Sequence, residues 1–166
     1  SRFITGGDYF GPRHLRFSPD GRRLVASWSM QLLIIDLESG NVTWPFSSAT
    51  IGLDPDWSVD GRIVYTRASQ TSDPADSAGI HIYDPATGVD HPLYYEGQVL
   101  FGRGARWSSD GSEVAYCGGI PPANQPMVFL ARADGSALRV LVPAGMLPAY
   151  LQWYSRPSVG LDGVLF

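Results

Sequence analysis

Short apolar runs alternate with turn residues along the whole of this 166-residue chain. The runs RRLVASW (22–28), RIVYTR (62–67) and SEVAYC (112–117) contain the β-branched and aromatic residues that favour strands. The stretch Leu32–Ile35 is apolar at consecutive positions, which indicates a strand covered on both sides of its sheet. These patterns predict an all-β protein built from many short strands.

One phrase, aromatic-Ser-x-Asp-Gly, occurs three times, as FSPDG, WSVDG and WSSDG, and a weaker fourth copy reads WYSRP. Its aromatic anchors lie 40, 50 and 46 residues apart, at Phe17, Trp57, Trp107 and Trp153. Periods of this size indicate a repeat architecture. We expect each anchor to pack inward as a plug at the end of an inner strand.

Each phrase has the composition of a hairpin turn. In the first copy Pro19 presets φ for a type I turn, Asp20 tolerates the second central position, and Gly21 supplies the positive φ of the following bulge. The repeated Asp is therefore predicted to be a turn residue rather than a catalytic one.

A second hairpin signal follows each of the first three phrases, as LLIIDLESGNVTW (32–44), IHIYDPATGVDHPLYY (80–95) and MVFLARADGSALRVLV (127–142). Each unit therefore contains four strands in a meander, which is typical of a β-propeller blade. The predicted organisation is a single β-propeller-like domain over 1–166, with blades at 13–47, 53–96 and 103–143, a partial blade at 151–166, and 1–6 as a stray outer strand.

The stretches RFSPDGRRLVAS, DWSVDGRIVYT and RWSSDGSEVAYC, with the trailing IYDPATG, resemble the TolB-like, WD-like β-propeller repeat. The fourth copy, WYSRPSVGLDG, departs from that pattern by an insertion where the turn should close. The resemblance implies a propeller fold, a protein partner and a periplasmic or secreted location in a bacterium.

The predicted strands number one at 2–5, twelve in three full blades and two in 151–166, which is one strand short of four blades. A propeller needs four or more blades to close, so three outcomes stay open. Either the chain is a fragment of a larger propeller, or copies of it complete each other's ring, or its first strand closes a four-bladed ring. We favour the first two outcomes. Self-association is expected at the open edges, carried by Phe3, Ile4, Val164, Leu165 and Phe166.

Charge and composition narrow the classes of partner. The chain has 12 Arg, no Lys and 16 acidic residues, for a net charge of −4, which argues against nucleic acid or an anionic membrane as partner. No apolar run is long enough to span a bilayer, and the opening SRFITGGDYF lacks the build of a signal peptide. The chain is therefore expected to be either intracellular or, as we favour, a mature or excised piece of a larger protein. Cys117 is the single cysteine and is expected to be a half-buried strand residue.

In a meander the connections alternate between two faces. The Asp-Gly turns share one, here called the turn face, and the longer connections at 69–79, 96–105, 118–126 and 143–150 share the other, the variable-loop face. Binding usually occurs on irregular loops held by a rigid scaffold. The predicted partner-binding residues are on or near this face: Asp73, Asp76, Tyr94, Tyr95, Phe101, Arg103, Asn124 and Tyr150.

Catalytic patterns are weak. His14, His81 and His91 lack metal-ligand spacing, and the cluster Asp54, Asp56, Asp60 lacks the order of a calcium loop and its closing Glu. The sequence has no Gly-x-Ser-x-Gly elbow and no Lys for a phosphate-binding loop. We therefore expect no catalytic residues, no metal and no cofactor.

The leading hypothesis is a non-catalytic binding module for a protein or peptide. The alternatives are the substrate-gating propeller portion of a larger prolyl-oligopeptidase-like serine hydrolase, or a self-assembling structural half-propeller.

Overall fold

A computed structural model describes residues 12–47, 50–68, 78–118 and 127–142, and the backbone of two further strands at 152–155 and 162–165. All regular elements in these residues are strands, and no helix that could span a membrane is found among them. In chain order the strands are β1 (Arg13–Phe17), β2 (Arg23–Trp28), β3 (Gln31–Asp36), β4 (Val42–Thr43), β5 (Ile51–Trp57), β6 (Ile63–Ala68), β7 (Gly79–Asp84), β8 (Val89–Pro92), β9 (Tyr94–Tyr95), β10 (Gln98–Val99), β11 (Gly102–Trp107), β12 (Glu113–Gly118), β13 (Met127–Arg132), β14 (Leu138–Val142), β15 (Gln152–Ser155) and β16 (Asp162–Leu165).

The described strands form three four-stranded antiparallel meanders. Their orders are β1-β2-β3-β4, β5-β6-β7-β8 and β11-β12-β13-β14, and two further pairs are β9-β10 and β15-β16. The inner strands lie next to one another in sequence order, with β5 contacting β1, β11 contacting β5, and β15 contacting β11. The predicted fold class, all-β with repeated four-stranded meanders and an incomplete last unit, is confirmed.

The repeated phrase closes the first hairpin of each meander as predicted. Gly21 N–H donates to Ser18 O at 2.9 Å, and the same bond recurs from Gly61 to Ser58 at 3.1 Å and from Gly111 to Ser108 at 3.0 Å. The three glycines have φ of 68°, 90° and 72°, the left-handed conformation that a turn followed by a bulge requires.

The core lies between the sheets. Val25, Leu32 and Ile34 of the first sheet pack against Ile63 and Tyr65 of the second. A larger cluster joins the opposite side of the second sheet to the third, through Val64, Ile80, Ile82, Trp107, Val114, Tyr116 and Phe129. Consecutive apolar residues are buried on both sides of a sheet, which explains why these strands do not alternate apolar and polar positions.

The aromatic anchors are inter-sheet plugs in two of the described copies. Trp57 and Trp107 are 8% and 3% exposed, and the guanidinium groups of Arg23 and Arg62, each from the preceding sheet, lie 5.0 Å and 4.8 Å from their ring centroids. Phe17 is 67% exposed, so its prediction as a packed plug was wrong. The physical reason is that no described sheet lies on that side of β1 to supply the covering arginine.

A short hairpin in the linker between the second and third sheets was not expected. Residues 96–105 were predicted to be an irregular connection, but β9 and β10 pair across a two-residue Glu96-Gly97 turn. Both turn residues have positive φ, 50° and 76°, which gives the backbone the twist of a tight hairpin.

At the C-terminal end, β15 pairs with β16, with Trp153 opposite Val164 and Gln152 opposite Leu165. Val164 and Leu165, two of the predicted self-association residues, therefore lie on a strand whose β15 side is already paired. Phe3, Ile4 and Phe166 lie outside the described residues, as does the predicted stray strand at 1–6.

Candidate functional site

Each of the three fully described inner strands carries the same bulge. In β1 the two residues His14 and Leu15 stand opposite the single residue Ala26, and the register shifts equivalently in β5 and β11. The first bulge residue is left-handed in every copy, with φ of 56° at His14, 54° at Asp54 and 66° at Gly104. All three lie three positions before the aromatic anchor. The bulge is thus part of the repeat, and only the side chain at its first position changes.

The bulges of β1 and β5 bring two polar side chains together. His14 Nε2 lies 3.1 Å from Asp54 Oδ1, and the two side chains are 32% and 20% exposed. They lie in an open pocket of about 490 Å³ whose wall includes Arg13, Ser27, Met30 and Leu53. The pocket is at the ends of these strands opposite the Asp-Gly turns, so it opens on the variable-loop face.

Below the pocket, one largely buried carboxylate, that of Asp56, joins β1, β5 and β11. Asp56 Oδ1 lies 3.5 Å from Arg16 Nε of β1, and Asp56 Oδ2 accepts a 2.9 Å hydrogen bond from the Trp107 N–H of β11. Arg106 Nη1 donates to the Asp54 carbonyl at 3.2 Å. Three charged residues each stand one position before an anchor, namely Arg16, Asp56 and Arg106. The repeat therefore places them at the same height along the inner strands.

Burial dominates the electrostatics of this network. It raises the pKa of the Asp56 carboxyl, although Arg106, the Trp107 N–H and Arg16 act in the opposite direction. Burial also lowers the pKa of the Arg106 guanidinium, against the opposing influence of Asp56 and Asp54. The network is therefore a structural clamp between strands, held together against the cost of desolvating its charges.

The repeated aspartates of the turn face accept hydrogen bonds within their own turns. Asp110 accepts from Ser108 Oγ at 2.7 Å and from the Ser112 N–H at 2.9 Å, and these bonds lower its pKa to about 2. Asp20 and Asp60 make the equivalent bonds within their own turns. The prediction that this Asp is a turn residue is confirmed.

The three aspartates that superficially suggest a calcium loop face different partners. Asp54 contacts His14, Asp56 contacts Arg16 and the Trp107 N–H, and Asp60 pairs with Arg62 at 2.8 Å. In the part of the chain that the structure describes, no group of three or more His, Cys, Asp or Glu side chains is arranged to hold a metal ion.

A second polar cluster is buried in the second sheet. The Asp90 carboxylate accepts from Tyr65 Oη at 3.0 Å and from Arg67 Nη1 at 2.9 Å, and His81 Nδ1 lies 3.1 Å from it. Burial raises the pKa of the Tyr65 hydroxyl, and Phe46 stacks on the Tyr65 ring at 5.4 Å. His81 is 1% exposed on β7, which gives it a packing and hydrogen-bonding environment rather than an accessible one.

The predicted partner-binding residues are not brought together as one patch. Phe101 is 61% exposed at the start of β11, beside the variable-loop end of β12, and Arg103 is exposed nearby. The β9–β10 hairpin carries Tyr94 toward the β13–β14 turn, where a Cβ at Gly135 would lie 2.4 Å from the Tyr94 carbonyl oxygen. Tyr95 packs against the larger core cluster, which lies between the second and third sheets. Asp73, Asp76, Asn124 and Tyr150 lie outside the described residues.

Sequence reasoning treated His14 as a lone histidine and Asp54 as part of an acidic cluster. The signal that would have found their pocket is the alignment of the three repeats. Three positions before the anchor, the copies have His, Asp and Gly, and these residue types share a tolerance for positive φ.

No protein-family model and no curated relative matches this chain, so the comparisons that follow are structural. An oligogalacturonate lyase from Vibrio parahaemolyticus superposes on 78% of this chain and 40% of its own, with 18% identity and a TM-score of 0.58. Dipeptidyl peptidase 4 from Porphyromonas gingivalis superposes on 88% of this chain and 27% of its own, with 11% identity and a TM-score of 0.58. The chain has a β-propeller fold.

TolB from Acinetobacter baumannii is also among the matches, over 94% of this chain and 52% of its own, at 15% identity and a TM-score of 0.44. The predicted resemblance to TolB-like propellers is confirmed for the fold, which rests on the lyase and the peptidase. The propeller chain spans about half the length, or less, of each of these three structures.

Proposed function

We propose that this β-propeller chain is a non-catalytic binding module that holds a protein or peptide at its variable-loop face. The observation that carries the proposal is the pocket where His14 and Asp54, two left-handed residues from adjacent blades, meet at 3.1 Å. On the turn face, by contrast, the repeated aspartates take part in the hydrogen bonds that close their own turns.

A second feature supports the same face. Phe101 is 61% exposed and Arg103 is exposed beside it, and an aromatic ring with an adjacent guanidinium is a common anchor in protein interfaces. The resemblance to TolB-like propellers supports a protein partner and an extracytoplasmic location. The remaining predicted contacts, Asp73, Asp76, Asn124 and Tyr150, belong to the same proposal.

A displayed random-peptide library selected on the intact chain tests the proposal, followed by titration of the selected peptides. Phe101→Ala is expected to weaken their binding by about tenfold or more, the loss typical of an interface anchor. Phe17→Ala is the matched control, because Phe17 is similarly exposed, at 67%, but lies at the turn end of β1. Peptides that lose affinity only with Phe17→Ala, or with neither variant, would contradict the proposed face.

The second candidate is the propeller portion of a larger hydrolase. Three of the structural neighbours with TM-scores of 0.53 to 0.58 are a dipeptidyl peptidase 4, a puromycin hydrolase and a tricorn protease, and this chain matches 27%, 23% and 14% of their lengths. A fluorophosphonate probe on the full gene product tests this candidate. Labelling of a serine outside residues 1–166 supports it, and a product that the probe leaves unlabelled argues against it.

Self-association is a third candidate, favoured by the apolar side chains on the uncovered side of β1. Leu15 is 47% and Phe17 is 67% exposed there. Sedimentation velocity is expected to give the mass of at least two copies. A single-copy mass at about 100 μM would exclude an assembly of useful strength.

A further inference from the structure

The left-handed residues His14 and Asp54 occupy positions where the fold itself accepts glycine. Gly104 holds the equivalent place in β11, and a Cβ added there would meet no atom within 4 Å. Packing therefore does not require glycine at this position, but the backbone conformation favours it. Two of the three blades nevertheless carry a side chain at this point, and both side chains line the same pocket. Backbone strain kept at a pocket indicates a use for the side chains that cause it.

The charge of the inner strands is opposite to that of the whole chain. The chain carries a net charge of −4, but β1, β5 and β11 together hold four arginines and two aspartates. Arg13 lines the pocket, and Arg103 stands at the equivalent position of β11. A second pair, Arg16 and Arg106, lies closer to the turn face than Arg13 and Arg103, and it flanks Asp56. A local excess of guanidinium groups in an otherwise acidic molecule favours an anionic ligand at this point.

We propose that His14, positioned by Asp54, and Arg13 form a carboxylate-binding site at the mouth of the inner strands. This site rests on the proposed function and names the group of the bound peptide that it takes, a C-terminal or an acidic side-chain carboxylate. In the imidazolium form, in which both ring nitrogens carry hydrogen, His14 donates to Asp54 from Nε2 and to the ligand carboxylate from Nδ1. The Arg13 guanidinium supplies a second donor to the ligand. Met30 and Leu53 contact the apolar side chain that adjoins the carboxylate.

The test uses the intact chain, ¹⁵N-labelled, and three acetylated dipeptides followed by NMR. Acetyl-Gly-Leu presents a C-terminal carboxylate, acetyl-Asp-Leu-amide a side-chain carboxylate, and acetyl-Gly-Leu-amide presents neither. Titration to about 10 mM covers the weak affinity of ligands this small. We expect one or both carboxylate peptides to shift the amide resonances around His14 and Asp54. The responding peptide identifies the source of the carboxylate. Equal shifts with the neutral amide would overturn the proposal.

Two variants separate recognition from folding. His14→Gly and His14→Asn both keep a residue that tolerates positive φ, so the melting temperature is expected to change by less than about 4 °C. Both variants should weaken the binding of the responding peptide by about tenfold or more. His91→Gly is the matched control, because it removes an exposed histidine of β8 and should leave binding unchanged. Wild-type affinity in both His14 variants would refute the role of the imidazole.

The outcomes also separate this site from the proposed function. If library peptides bind through Phe101 and none of the carboxylate dipeptides binds, the carboxylate site is wrong and the binding module stands. If no library peptide depends on Phe101 but a carboxylate dipeptide depends on His14, the site stands and the larger interface is wrong. If neither depends on these residues, both fail.

Discussion

The two ends of the inner strands differ in how closely the blades repeat one another. At the turn face, Asp20, Asp60 and Asp110 make the same hydrogen bonds to their own turns. At the variable-loop face the backbone repeats equally well in β1, β5 and β11, because each has the same bulge, but the first bulge residue is different each time.

This difference separates what the fold needs from what it allows. A turn that must close in the same way three times keeps the same residue, because Asp and Gly satisfy its backbone directly. A bulge needs only a residue that tolerates positive φ, so several residue types fit there. A functional side chain can therefore occupy the bulge of a repeat without disturbing the hairpin at the other end of the strand.

The largest expected effect is at the turn end, where the anchors plug the sheets together. Trp107→Ala should lower the free energy of unfolding by about 3–5 kcal/mol, because it empties a buried inter-sheet site. Phe17→Ala, at the exposed anchor, should change it by no more than about 0.5 kcal/mol. Urea denaturation of both variants measures the contrast.

Trp107→Phe refines this prediction. The indole N–H of Trp107 is buried without a hydrogen-bond partner among the described residues, so a phenyl ring loses only part of the packing. We expect a loss clearly smaller than that of Trp107→Ala. Equal losses would indicate that the indole N–H is bonded after all.

At the variable-loop end, two glycines of β11 separate steric clash from backbone strain. A Cβ at Gly102 would lie 2.5 Å from the Cys117 carbonyl oxygen, whereas a Cβ at Gly104 meets nothing within 4 Å. Gly102→Ala should therefore cost about 2–3 kcal/mol through forced backbone shifts. Gly104→Ala should cost about 1 kcal/mol through its positive φ alone. Thermal unfolding of the two variants in parallel gives the order, and a reversed order would contradict it.

A smaller effect, visible as a pH dependence, is expected at Asp56 between the two ends. Burial raises the pKa of Asp56 in the folded state, so the stability that its protonated form provides is lost as pH rises from the unfolded pKa through the folded one. Asp56→Asn keeps an acceptor for the Trp107 N–H and has no titration. The unfolding free energy of the wild type minus that of Asp56→Asn should decrease as the pH rises above 4. A difference that increases would show that Arg16 and Arg106 outweigh burial.

The smallest effect is at the exposed turn residue Asp110. Its pKa is lowered to about 2 by hydrogen bonds from Ser108 and Ser112, so its contribution to stability is present above pH 4 and lost as pH falls toward 2. Carbon-detected NMR of the carboxyl group should give this value in the wild type. Ser112→Ala should raise it, since the hydroxyl hydrogen bond to Asp110 is removed.

The sequence predicts the turns and meanders because their residues act locally. Gly21, Gly61 and Gly111 adopt the positive φ that their turns require, and the apolar runs form the strands around them. Phe17 was misjudged because a plug depends on a neighbouring sheet, which no local pattern reports. The β9–β10 hairpin was missed because two-residue strands have too little periodicity to detect.

The pocket was missed for a different reason. The contact between His14 and Asp54 joins residues 40 positions apart, and neither residue looks unusual in its own blade. It becomes visible only when the copies are read in register. The cluster of Asp90 with Tyr65, Arg67 and His81 has no counterpart in the sequences of the other blades. Aligning the repeats therefore gives no indication of it.

The arginine that covers each buried anchor always comes from the preceding sheet, Arg23 for Trp57 and Arg62 for Trp107. Such contacts couple each sheet to its nearest neighbours, as in a one-dimensional chain of cooperative units. The second sheet both receives and gives a guanidinium, while the first only gives one among the described residues. Amide hydrogens should accordingly exchange most slowly in β6 and β7, and opening should begin at the outer units and move inward.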